Sequence, residues 1–149
     1  MTVNTEPVTF DSLNVGDELP PFEIGETQET INLGSSTEES SATRPNIHTN
    51  PQFAKEGLFA GTVNSGVTSM AYVAQMLEQW FPASAFYDGG NLSFKAMEPF
   101  RPGDIVTFTG KIMGKREEAG RRFVDCQVTG VNQLGKLVAA ADATMSIHR

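Results

Sequence analysis

Between residues 65 and 80 the apolar positions are Val67, Met70, Ala71, Val73, Ala74, Met76, Leu77 and Trp80. They recur at three- and four-residue steps, the period of an α-helix, and cover more than one face. The spacing predicts a helix buried on most sides and stopped by Pro82, which follows Phe81. Further along, the period changes to two. Ile105, Thr107 and Thr109 alternate with Val106 and Phe108, and Phe123, Asp125 and Gln127 alternate with Val124, Cys126 and Val128. Strands are predicted over residues 92–100, 104–115, 121–131 and 136–147, separated by Arg101-Pro102-Gly103, Glu117-Glu118-Ala119-Gly120 and Asn132-Gln133-Leu134-Gly135. Such alternation gives a sheet with one dry face and one wetter face.

The first third is less regular. Gly16-Asp17 and Pro20-Pro21 signal turns. Phe22 and Ile24, and later Ile31 and Leu33, suggest strand material. Residues 34–43 are polar and serine-rich. Ser36 and Glu39 have the spacing of a capping box, but no apolar stripe anchors a helix there, which favours a loop. Asn50 then suits an N-cap, Pro51 the first helical position and Gly57 the stop of a short helix, so His48 falls in the loop just before it. A buried helix beside an antiparallel sheet is an α+β architecture, with the sheet wrapped around the helix. A length of 149 residues without internal repeats predicts a single domain over 1–149.

Composition narrows the function. A net charge of −7 argues against nonspecific nucleic-acid binding and against an anionic membrane surface. No run is apolar for long enough to cross a bilayer. The opening MTVNTEPVTF has neither a basic region nor an apolar one, so no secretory signal is visible and a cytoplasmic location is expected. One cysteine and two histidines make a structural zinc site improbable and an internal disulfide impossible.

The order of a histidine loop, a short helix, Phe-x-Gly, a long helix and then a Pro-Gly-Asp turn before long strands resembles a known family. The matching pieces are NIHTNPQFAKEGLFAGTVNSG, residues 46–66, and FKAMEPFRPGD, residues 94–104. They resemble the MaoC-like, (R)-specific enoyl-CoA hydratase/dehydratase branch of the hot-dog fold. The resemblance covers most of the chain from Ile31 onward. It implies a hot-dog domain, an antiparallel sheet around one long helix, with an acyl-thioester substrate and no metal or redox cofactor. In the family motif an aspartate and Asn-Pro precede an aliphatic residue and the histidine. Ile47 and His48 match the last two; Pro45-Asn46 reverses the dipeptide, and the aspartate falls on Thr43. A further family histidine before the helix glycine falls on Ser65, and Gly66 matches the glycine.

Hydrating a 2-enoyl thioester needs a proton acceptor for the attacking water, a proton donor for Cα and a partner for the enolate oxygen. Histidine suits the proton transfers because its ordinary pKa, about 6.5, lies near working pH. Backbone N–H groups at a helix start suit the oxyanion, and a glycine lets a carbonyl approach. These roles fall on His48 and Gly66. Thr43 can orient a water but is no base. Three accounts remain open: His48 acts with Thr43, Asn46 or Asn64 positioning water; Glu38 or Glu39 replaces the carboxylate; or the chain does other chemistry on a similar thioester.

Simpler roles stand beside these. Tight packing is the plainer role for Gly66, Asn64 and Ser65 are candidate N-caps, and Cys126 reads as a buried small hydrophobe. Arg44 would bind a substrate carboxylate or phosphate, or be an ordinary loop arginine. Lys95, Arg101, Arg121 and Arg122 are candidates for coenzyme A phosphates, though a solvated strand face explains them equally well. His148, next to last, is expected to fray without function. The expected substrate carrier is coenzyme A or an acyl-carrier protein, and the expected assembly is a homodimer or a dimer-based oligomer. Thioester hydrolysis, a specialised elimination and a catalytically degenerate subunit are the alternatives.

Overall fold

A computed structural model describes residues 8–34 and 45–148. After an opening loop that buries Phe10, Leu13 and Leu19, the elements are β1 (Phe22–Gly25), α1 (Gln28–Leu33), α2 (Pro51–Lys55), α3 (Gly66–Glu78), α4 (Ser84–Tyr87), β2 (Asn91–Ala96), β3 (Ile105–Glu118), β4 (Arg121–Val131) and β5 (Leu137–Ser146). The strands form one antiparallel sheet in the order β1-β3-β4-β5-β2. Its dry face carries Val106, Phe108 and Ile112 from β3, Val124, Cys126 and Val128 from β4, and alanines 139, 141 and 143 from β5. Tyr72, Val73, Met76 and Leu77 of α3 join them in one core. This is the α+β hot-dog arrangement the sequence predicts. At Gly130 a Cβ would come 2.8 Å from the Phe108 ring opposite, so the large residue on β3 requires none on β4.

The four predicted strands are present, with two differences at their ends: β3 runs on to Glu118, through the first half of the predicted Glu117-Glu118-Ala119-Gly120 connection, and β2 stops short. Beyond Ala96, the N–H groups of Met97 and Glu98 both reach the Val138 carbonyl, at 2.8 and 3.3 Å. Pro99 then offers no N–H, so β2 ends at Ala96 and residues 97–100 leave the sheet. The predicted long helix and the short helix after Asn50 are present, the latter capped by the Asn50 side chain accepting from Phe53 N–H at 3.0 Å.

Ile31 and Leu33 correct the sequence reading: they lie in α1, not in a strand. Thr27 and Thr30 form a reciprocal cap, each hydroxyl accepting the other's N–H, at 3.1 and 2.8 Å. That seeds a helix which buries Ile31 and leaves Leu33 in solvent. His148 also departs from expectation. Its Nε2 lies 2.8 Å from Asp88 Oδ2, which ties it to the turn after α4. The polar stretch from residue 35 to 44, with Glu38, Glu39, Thr43 and Arg44, lies outside the described residues.

Candidate active site

His48 is held in a tight turn by the side chain of Asn46. Asn46 Oδ1 accepts from the N–H groups of His48 and Thr49, at 2.8 and 2.9 Å, and from the Thr49 hydroxyl at 3.1 Å. Asn46, expected to position the water, therefore spends its oxygen on shaping the loop. From the opposite side Gln28 donates to the His48 carbonyl at 2.8 Å and accepts from the Thr62 hydroxyl at 2.7 Å. This first-turn residue of α1 joins the histidine loop to the segment leading into α3.

The imidazole is oriented by that segment. His48 Nδ1 lies 2.8 Å from the carbonyl oxygen of Val63. A carbonyl has no proton to give, so Nδ1 donates and the neutral ring carries its lone pair on Nε2. Among the described residues no protein group engages Nε2. Three residues after Val63, α3 begins. Ser65 is its N-cap, as its sequence position suggests, and its hydroxyl accepts from Thr68 N–H at 3.3 Å. The cap leaves the N–H groups of Gly66 and Val67, the first two of the helix, without intrahelical partners. An ideal Cβ on Gly66 meets nothing within 4 Å. Packing therefore does not demand this glycine; the space beside it is open.

That space is a cavity of about 320 Å³ whose wall includes Ile47, His48, Phe59, Asn64, Gly66 and Ser69 on one run of chain and Ala96 to Phe100 on another. It brings His48 together with Asn64 and Gly66, from which α2 and the loop after it separate the histidine in the chain. His48 and Glu98 are its titratable lining groups. Glu98 stands at the rim, 2.7 Å from Lys136 Nζ. A shallower apolar groove continues from Gly66 and Ala96 to Val67, Met70 and Phe94.

Asn64 is buried and turned inward. Its amide nitrogen donates to a carboxylate oxygen of Glu26 and, at 3.1 Å, to the Tyr72 hydroxyl, while its Oδ1 accepts from Ser65 N–H at 2.8 Å. Tyr72 in turn donates to Glu26 at 2.7 Å, and Thr30 does so at 2.6 Å. Burial, and then the hydrogen bond and charge of Glu26, push the Tyr72 phenol up to about 12, so it stays a donor at any physiological pH. Nothing in the local sequence around Glu26, Gln28 or Glu98 pointed to the site. Lys95 and Arg101 flank the lining run 96–100. Arg121 and Arg122 belong to the far end of the sheet, within reach of Asp88 at 2.6 Å and Glu117 at 3.4 Å. Cys126 is buried, as expected, and burial raises its thiol pKa to about 12. Among the described residues no cluster of His, Cys, Asp and Glu is suited to a metal.

A family model described as a MaoC like domain matches residues 41–132. The chain belongs to the MaoC-like family. Among curated proteins nothing matches. Among solved structures, a MaoC-like dehydratase from Rhodospirillum rubrum superposes with a TM-score of 0.74 at 21% identity, over 95% of this chain and 97% of that one. The R-hydratase PhaJ1 from Pseudomonas aeruginosa gives 0.72 at 16% identity, over 95% and 86%. A chain of the ChsH1-ChsH2 complex from Mycobacterium tuberculosis gives 0.71 at 19% identity, over 91% and 98%. At such identities these structures speak for the fold, and the MaoC-like match spans the histidine loop, α3 and the strands β2 to β4.

Proposed function

We propose that this chain is a hydro-lyase that adds water to, or removes it from, the 2,3 position of an acyl thioester carried by coenzyme A or an acyl-carrier protein. The observation that supports this is the shared cavity of His48 and Gly66, with Nδ1 of His48 committed to Val63 and the helix start at Gly66 open. In the hydration direction His48 Nε2 takes a proton from water as its oxygen attacks Cβ. The thioester carbonyl becomes an enolate oxygen that accepts from the backbone N–H groups at the start of α3. The imidazolium then has the proton required at Cα, within one reaction cycle. By its place in the family motif, Thr43 is the candidate for the second polar group that holds the water, and Arg44, next to it in sequence, is a candidate for a carrier phosphate or a substrate carboxylate.

The enzyme would act as a dimer. β2 is a sheet edge among the described residues, and the apolar groove of Val67, Met70 and Phe94 runs beside it. Pairing two sheets along this edge covers both. A monomer by light scattering at micromolar concentration would contradict the dimer. No helix among the described residues is long and apolar enough to cross a membrane.

Hydration of crotonyl-CoA by the purified chain, followed as loss of the conjugated thioester's ultraviolet absorbance, tests the reading. A 3-hydroxyacyl product supports it. Release of free thiol instead marks a thioesterase. A saturated acyl thioester bearing a leaving group other than hydroxide at Cβ is the separate substrate for a specialised elimination, which a 2-enoyl product would mark. A catalytically silent subunit is the second reading, favoured by threonine at position 43 in place of a carboxylate. Inactivity alone, with activity only on adding a partner hydratase, would establish it.

A further inference from the structure

We infer that Glu26 is a positioning residue for the chemistry at His48 and Gly66, acting through Asn64; the inference rests on the hydro-lyase reading. Glu26 is 1% exposed and is the only acidic side chain buried among the described residues. Burying a carboxylate is costly unless every lone pair is answered. Here Thr30, Tyr72 and Asn64 all donate to it. An apolar residue of similar volume would fill the space without that cost, so the carboxylate serves a polar purpose.

What it holds is Asn64. Both amide hydrogens of Asn64 are committed, to Glu26 and to Tyr72. Its Oδ1 fixes the N–H of Ser65, and its own N–H reaches the Phe100 carbonyl at 2.8 Å. Asn64 is thus anchored on four sides, and it sits between two functional backbone groups. On one side is Val63, whose carbonyl sets the His48 tautomer. On the other is Gly66, whose N–H opens α3. One buried carboxylate therefore fixes the spacing between the proton-transfer group and the oxyanion donors. Gln28, two residues on, fastens the flanking Thr62 and the His48 carbonyl from the same turn of chain. Polar packing for stability alone would not need to converge on the four residues 63–66.

The test compares the full chain with Glu26→Gln and Tyr72→Phe. The second removes one donor to Glu26 with the ring retained, and it decides the matter if Glu26→Gln does not fold. Both are measured at a temperature where circular dichroism shows full folding. Nitrogen NMR of the His48 ring, at about pH 9 where imidazole is neutral and with His148→Gln to assign the signals, should show one Nδ1–H tautomer in the parent and a mixture in the variants. For crotonyl-CoA hydration, kcat should fall ~10–10²-fold with KM within about threefold, because misplacement harms the transition state more than ground-state binding. Folded variants that keep both the parent's tautomer and its kcat overturn the inference. A parent that hydrates no enoyl thioester overturns the hydro-lyase reading instead. The tautomer comparison then decides the role of Glu26 by itself, a mixture supporting it and an unchanged ring refuting it.

Discussion

The Nδ1 atom of His48 and the carbonyl oxygen of Val63 are 2.8 Å apart, and this contact assigns the ring's proton to one side and its lone pair to the other. Two substitutions separate the halves. His48→Ala removes both, and should lower turnover by ~10²–10⁴-fold, the usual loss for a positioned general base. Its stability cost should be about 0.5–1.5 kcal/mol, one hydrogen bond in a half-buried loop. His48→Asn keeps an amide able to donate to Val63 but has nothing at the Nε2 position. It should regain stability and remain as inactive as the alanine variant. Steady-state assay and urea unfolding check both; an alanine variant with near-parent turnover would remove His48 from the site.

Gly66 offers a test that packing does not confound. A methyl group there enters open space, meeting nothing within 4 Å. Gly66→Ala should fold as well as the parent, and the helix should gain a fraction of the roughly 1 kcal/mol by which alanine outranks glycine. Yet the methyl stands where a thioester oxygen must approach the N–H, so kcat/KM should fall by about 10-fold or more. Gly90→Ala is the contrasting control. Its Cβ would lie 2.5 Å from Phe86 Cα and 2.6 Å from the Ala85 carbonyl, both backbone. That variant should lose ~1–3 kcal/mol of stability while each folded molecule keeps its activity. Equal activity for Gly66→Ala and the parent would show that the cavity is not where the thioester binds.

The parts of this fold that rest on local rules were legible beforehand. The period-two strands, the apolar α3 and the Asn50-Pro51 helix start each depend on residues a few positions apart, and all three are present. The placement of His48 before that helix followed from the same signals. Ile31 and Leu33 misled because alternate apolar residues suggest a strand. The Thr27–Thr30 cap sets a helix instead, with Ile31 buried and Leu33 86% exposed. The site's support was out of reach for a different reason. Glu26 meets Asn64 across 38 positions and Tyr72 across 46. No local spacing encodes such a meeting, because the sheet and α3 bring these residues together only once folded.

Asp125 on β4 predicts how stability depends on pH. Burial disfavours its charge, but a hydrogen bond from Thr144 at 2.6 Å and one from Arg116 at 3.1 Å outweigh that and hold its pKa below the ordinary value. A carboxyl with a depressed folded-state pKa stabilises the fold above its unfolded value, about 3.9. The contribution is lost as pH falls through the lower, folded value. Asp125→Asn should therefore be less stable than the parent at neutral pH, and the two should converge in acid. Thr144→Val should show part of the same loss. Urea midpoints measured from neutral pH down to about pH 3 check this; a gap that stays constant over that range would mean the pair does not titrate as described.

The last prediction concerns the second polar group beside His48. The only carboxylate lining the cavity among the described residues is Glu98, and it is committed to Lys136 at 2.7 Å with its side chain 41% exposed. A rim group already paired and solvated is a poor holder of an attacking water. Glu98→Gln should therefore cost less than about 10-fold in turnover, short of the ~10²–10⁴-fold expected of an acid–base partner. On the reading proposed above, Thr43 takes the place of the family motif's carboxylate. An aspartate there would hold water beside His48 and favour the imidazolium by opposite charge. Thr43→Asp should thus raise hydration of crotonyl-CoA. The gain is limited by the reversed Pro45-Asn46 pair, since a misplacement of about 1 Å costs ~10²-fold. Activity on the native substrate should fall if threonine suits a different acyl group. A large loss in Glu98→Gln, together with no gain in a folded Thr43→Asp, would move the water-holding role from the histidine loop to the rim.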